Sequence, residues 1–459
     1  MVLRKVARLL AVVLMVSGGA GICAAQTVSD VVTFTIATFG TPVFIPAQGR
    51  NGLLYGVIGV NGSSPGYAFD FSAGGVTKVI YSANPSLGYG TLFGLTLGTD
   101  GNFYGVVEST AVIGDPGYGI FFRIGPNGTF TTLHNFNGGT DGADPATAPI
   151  EATDGNLYGT TNGGCCVPST VYRYTPSGSF RVIYTFDNAH GMWAGPVMQG
   201  SDGHLYVTAW EGGIKNNGTI VELTTGGSLL HYYAFPGASG GSLPNGPLVE
   251  ASDGNYYGTT YQGGAHGLGT IFRMTPEGNV TVLHAFSRHA TDGASPAHGL
   301  TQATDGYLYG TTTAGGANGS GTAFRISTGG AYSQLYSFSS VTGSNPLGLM
   351  QDTSGLLYGT LAQGGAQGYG AIYSLDMSLG PFIKFVRPTG TIGQTAQIIG
   401  QGLTGATSVA FNGLPASSFV VVSDTYMTAV VPSGATTGPV VVTTPTGPLT
   451  SNASFRISK

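Results

Sequence analysis

A tyrosine, usually set in Leu-Tyr-Gly, recurs along this 459-residue chain at Tyr55, Tyr104, Tyr158, Tyr206, Tyr257, Tyr309 and Tyr358. Successive spacings are 49, 54, 48, 51, 52 and 49 residues. A period of this size marks a repeat architecture, in which each unit buries its apolar face only against its neighbours. The clearest copy holds four short runs, 247–251, 256–260, 269–274 and 280–286, rich in β-branched and aromatic residues and divided by Gly, Pro and Asp. Four antiparallel strands per unit make a blade of a β-propeller. The sequence therefore predicts an all-β fold, a seven-bladed β-propeller with about 50 residues per blade.

Asp-Gly precedes the tyrosine strand at Asp100, Asp154, Asp202, Asp253 and Asp305. This dipeptide predicts a two-residue hairpin turn. A ring of calcium sites is a poorer reading, because calcium loops bring several oxygen ligands together and each copy offers one carboxylate. The tyrosines read as packing between blades. The last copy, 357–375, lacks a fourth strand, and the run 32–39 near the N-terminus fits the fourth-strand pattern. An N-terminal strand is thus expected to close the last blade and leave no open edge.

The segments Asp-Gly-Asn-Leu-Tyr-Gly-Thr-Thr (154–161), Gly-Gly (263–264), Gly-Thr-Ile-Phe-Arg (269–273) and Asp-Gly-Ala-Ser-Pro (292–296) resemble the GloVer tandem repeat of "choice-of-anchor" proteins over residues 30–378. The resemblance implies an exported bacterial protein and brings no established activity. Asn51-Gly52, Ser354-Gly355 and Val207 depart from the repeat. Residues 381–459 break the period. Their short alternating strands, with Asn412-Gly413 as a hairpin signal, suit a small β-sandwich. The order is similar to the IPT/TIG immunoglobulin-like domain, which implies a spacer or partner-binding module. The expected domains are a signal peptide (1–25), a propeller (26–378) and an immunoglobulin-like β-sandwich (381–459).

Charged residues are 8% of the chain, while 24 Tyr and 23 Phe supply a core. A disordered chain would show the opposite balance. Arg4, Lys5 and Arg8, the apolar run 9–16 and the small residues before Gln26 predict a cleaved signal peptide, too short to span a bilayer. The expected location is secreted, periplasmic or at the cell surface, with no transmembrane segment. Cleavage leaves 13 basic residues against 21 acidic ones and no basic run. Nucleic acid is therefore excluded as a partner. Cys165 and Cys166 then remain, adjacent to each other. They close a vicinal disulfide in an oxidising compartment or stay as loop thiols.

No catalytic motif, cofactor fingerprint or metal-ligand spacing stands out. The preferred reading is an exported binding or scaffold protein acting at the cell envelope or outside it, with a glycan or another envelope protein as partner. The alternative is a carbohydrate-active propeller enzyme using the loop face of the fourth blade. That face gathers His190, Trp193, Trp210, Glu211, Tyr261 and Gln262, where aromatic rings beside polar groups suit sugars. The competing account makes the two tryptophans filler between blades, since Trp is highly buried on average.

Overall fold

The computed structural model describes residues 27–33, 47–59, 66–72, 74–75, 77–82, 91–108, 117–163, 167–365 and 368–458. These residues hold strands and one short 3-10 turn, and no α-helix. Each repeat folds as an antiparallel meander, because turn residues cut the chain into strands too short to do anything but pair with the next. Seven such sheets follow in order. Their second strands, Leu54–Ile58, Phe103–Val107, Leu157–Thr161, Leu205–Glu211, Tyr256–Gln262, Leu308–Thr312 and Leu357–Gln363, carry the repeated tyrosine.

The sheets close into a propeller-like ring. Separate buried clusters join each sheet to the next. A further cluster joins the last to the first, packing Tyr358 and Ile372 against Leu54, Phe69 and Phe71. Six of the seven repeated tyrosines are fully buried in these seams. The N-terminal strand Thr27–Thr33 pairs antiparallel with Ala371–Asp376 and completes the seventh sheet. The sequence pattern had pointed to 32–39. The register instead sets Val32 against Ile372 and Val28 against Leu375. Alternation alone fits both runs. The paired run carries, at Val31, the bulge that the other sheets carry between third and fourth strands. Residues 34–46 lie outside the described residues.

The Asp-Gly turn also differs in detail from the two-residue hairpin. Positive φ is confined to the glycine, as at Gly101 (86°). Gly101 N–H donates to Gly98 O and Gly98 N–H to Asn102 O. The loop is a type I turn closed by a glycine bulge, so Asp keeps an ordinary backbone.

A six-link hydrogen-bonded belt ties consecutive sheets together at these turns. In six of the seven sheets the last residue of the first strand sends its side chain to the turn of the preceding sheet. Gln199 Oε1 accepts from Thr153 N–H, Glu250 from Ser201 N–H, Gln302 from Ser252 N–H and Gln351 from Thr304 N–H, at 2.7–3.0 Å. Glu151 takes Thr99 N–H at 2.7 Å. Gln48 takes Thr353 N–H at 3.1 Å and so fastens the seventh sheet to the first.

Residues 381–458 form two four-stranded sheets, one including Thr395–Ile399 and Tyr426–Val430, the other Ser408–Phe411 and Val440–Thr444. They share one core around Ile398, Met427, Phe411 and Val442. This sandwich sits over the turn end of the ring. Thr425 Oγ1 donates to Arg50 O in the first sheet, and Gln397 Nε2 donates to Thr99 O in the second. Arg387 meets Glu151 in the third sheet. Arg456 donates to Gly200 O in the fourth and Glu250 in the fifth. Phe382 N–H donates to Thr353 O in the seventh. A unit of some 80 residues can touch six sheets at one structural position only where those positions converge. The first strands are therefore innermost, and the sandwich covers that mouth of the ring.

Candidate functional site

Covering one mouth leaves the opposite, loop face for a ligand to enter along the axis. There the chain runs from the fourth strand of one sheet into the first of the next, and in five crossings a residue at the equivalent position adopts a left-handed backbone. These residues are Asp144, Trp193, Leu243, Ser295 and Asn345, with φ between 53° and 58°. Asp, Asn and Ser tolerate this conformation; a bulky side chain there is an outlier. Trp193 N–H is held by Ser169 Oγ at 2.9 Å, and its side chain points out, with the residue 51% exposed. Filler between blades is buried, so that account fails for Trp193.

Met192 pairs with Glu211 and Ala194 with Ala209, which sets Trp193 across from Trp210. Trp210 is half-buried and its ring lies 5.4 Å from that of Tyr261 in the next sheet, tilted by 41°. Glu211 and Gln262 end their strands on the same face, Glu211 half-buried and Gln262 exposed. His190 Nδ1 lies 2.7 Å from Asp187 Oδ1, and its ring meets Tyr232 edge-on at 4.9 Å. The structure thus brings Trp210 and Tyr261 into ring contact, with Trp193 across from Trp210 in the strand register. It gives His190 a separate partner, Tyr232 on the outer strand. Cys165 and Cys166 lie outside the described residues.

Asp144 holds the position of Trp193 one sheet earlier, and Glu108 that of Trp210 two sheets earlier. Burial, then the charge of Asp144, pushes the Glu108 carboxyl up. Burial alone pushes up Asp144. His134 and His284 stack on Phe180 and Tyr332 and pair with Asp141 and Asp292.

Sequence reading missed the left-handed series at the loop face. Its signal was a spacing of 49, 50, 52 and 50 residues without a shared residue type. It also missed a group on the turn face of the fourth sheet, where Asp202, His204 and Glu222 gather.

The Gloeobacter/Verrucomicrobia repeat matches residues 162–373, less than half of the chain. No curated protein matches. Among solved structures, PorZ, a surface component of the type-IX secretion system of Porphyromonas gingivalis, is 14% identical with a TM-score of 0.48, covering 92% of this chain and 59% of its own. A gluconolactonase from Xanthomonas campestris is 12% identical with a TM-score of 0.43, covering 77% of this chain and 90% of its own. The PQQ-bound aldose sugar dehydrogenase of Streptomyces coelicolor is 13% identical with a TM-score of 0.42, covering 77% and 98%.

Proposed function

We propose that this chain is an exported binding protein, a seven-bladed propeller carrying an immunoglobulin-like sandwich, that takes a glycan on its loop face at the cell envelope or outside the cell. Residues 1–25 serve as the cleaved signal. The observation that carries the reading is Trp193, a half-exposed tryptophan held in a left-handed backbone across from Trp210. Such strain persists only where surrounding structure enforces it, and it concentrates at binding sites. The Trp210–Tyr261 pair and the exposed Trp193 offer ring faces to the CH faces of sugars, with Glu211, Gln262 and His190 near them for hydroxyls. The sandwich over the other mouth supports approach from the loop side.

Glycan-array profiling followed by calorimetry on the best hit tests this. Loss of one ring contact, about 1 kcal/mol, should weaken binding several-fold to tenfold in Trp193→Ala and in Trp210→Ala. Unchanged affinity in both variants sinks the reading. A second reading rests on Glu108 and Asp144. A carboxyl group pushed up by burial beside a second carboxylate is the kind of pair a glycosidase uses. Turnover of a polysaccharide by the mature protein, abolished in Glu108→Gln, would replace binding by catalysis; loss in Glu211→Gln would place the chemistry on the fourth blade instead.

A further inference from the structure

In four sheets the third strand carries an arginine three residues after its buried start: Arg123, Arg173, Arg273 and Arg325. Each sits directly across from the repeated tyrosine, whose hydroxyl donates to the turn aspartate. Arg325 Nη1 lies 3.9 Å from Asp305 Oδ2. The guanidinium thus balances the carboxylate. In the fourth sheet the position is Glu222, so a second carboxylate faces Asp202 where the repeat places a cation. The residue after the Asp-Gly turn, asparagine at 102, 156 and 255, is His204.

A third departure concerns the backbone. In the other six sheets the bulge falls two residues earlier in the third strand, between the pairs at Ala68/Phe69, Phe121/Phe122, Val171/Tyr172, Ile271/Phe272, Ala323/Phe324 and Ile372/Tyr373. In the fourth it is shifted to Glu222/Leu223. That shift sets His231 directly opposite Glu222. Bulges re-aim side chains in this way beside functional sites.

We propose that the fourth sheet binds a divalent transition-metal ion, Zn²⁺ being the reference case, through His204 Nδ1, Glu222 Oε1 and Asp202 Oδ2. His204 Nδ1 lies 2.6 Å from Glu222 Oε1 and 3.5 Å from Asp202 Oδ2. The ligand atoms all lie within 4.8 Å of one another. Metal–ligand bonds of about 2.1 Å in a tetrahedron put neighbouring ligands roughly 3.3 Å apart. The histidine–glutamate contact needs to open by less than an ångström. Tyr206 Oη donates to Asp202 Oδ2 at 2.6 Å and His231 Nδ1 lies 3.0 Å from Glu222 Oε2, so both carboxylates are oriented from outside the site. His231 is 81% exposed in its side chain, which leaves an entry path. Two carboxylates and an imidazole match the borderline ligand set of zinc, with a fourth position left to water.

The test uses the full mature chain without an affinity tag, titrated calorimetrically with Zn²⁺ and by visible absorption with Co²⁺. One ion per chain is expected, with Co²⁺ bands free of thiolate charge transfer. Glu222→Arg and His204→Asn each install the residue that other copies of the repeat carry, so the sheet should still fold. Each should weaken binding roughly a hundredfold or more, and His231→Gln about tenfold, the scale of an outer-shell loss. Replacing Cys165 and Cys166 by serine should leave affinity unchanged. Three results overturn the proposal: no saturable binding in the millimolar range, binding unchanged in Glu222→Arg with its melting curve intact, or binding lost only with the two cysteines.

Discussion

Two residues of the ring show a repeat position put to a use, or denied one. Trp193 holds a left-handed backbone that asparagine takes at the equivalent Asn345. Left-handed backbone costs an ordinary residue about 1–2 kcal/mol. Trp193→Asn should therefore raise the melting temperature by a few degrees while weakening glycan binding, a trade measurable by scanning calorimetry and titration on one sample. Tyr358 shows the reverse. Its neighbours donate to an aspartate, as Tyr257 does to Asp253 at 2.7 Å. The seventh copy has Ser354 there, and the buried Tyr358 hydroxyl finds no partner. A buried polar group without a partner costs about 1–3 kcal/mol, whereas a satisfied one contributes about 1. Tyr358→Phe should be neutral or stabilising in denaturant titrations, and Tyr257→Phe should destabilise by about 1–2 kcal/mol. Equal destabilisation by both would contradict the difference.

At the level of elements, the belt of glutamine and glutamate side chains fixes each first strand to the turn before it. The link is missing once, where the position holds Leu97. There Arg50 donates to Thr99 O at 2.5 Å and to Gln397 Oε1 at 2.8 Å, so the sandwich supplies what the second sheet lacks. Links differ in burial. Gln351 is 6% exposed and also donates to Thr304 Oγ1 and Gly355 O, while Gln302 makes the same bonds near solvent. Gln351→Leu should cost about 2–3 kcal/mol, because its orphaned partners stay dry, and Gln302→Leu below about 1. Thermal melts of the two variants decide this.

For the whole molecule, closure and capping set the stability. Removing residues 26–33 strips the outer strand from the seventh sheet and leaves Ala371–Asp376 as an unpaired edge. The truncated protein should melt several degrees lower or aggregate on heating; an unchanged melting temperature would show that closure adds nothing. The seam under the sandwich holds Lys384, where burial pulls the ammonium down to about 8 against the opposing charge of Asp352. A base whose folded value lies below its unfolded one binds fewer protons when folded. Stability should therefore rise between about pH 8 and pH 10. Lys384→Met should flatten that rise in pH-dependent unfolding.

The sequence alone determined what repetition and chemistry of short segments can determine. Seven tyrosine copies, turn residues between β-branched runs and a missing last strand dictate an all-β repeat ring needing an N-terminal closure, because local pairing follows local pattern. Register was beyond it: 27–33 and 32–39 both alternate, and the pairing of Val32 with Ile372 and of Val28 with Leu375 is a property of the assembled sheet. The candidate site was half legible. Both tryptophans and Tyr261 stood out as unusual residues on one face, but the exposure of Trp193 comes with a left-handed backbone that no residue type announces. Glu222 lies beside His204 and Asp202 through its pairing across from Tyr206. His231 joins them because a two-residue shift of a bulge turns the fourth strand against the third, and such a shift is settled by packing across the sheet.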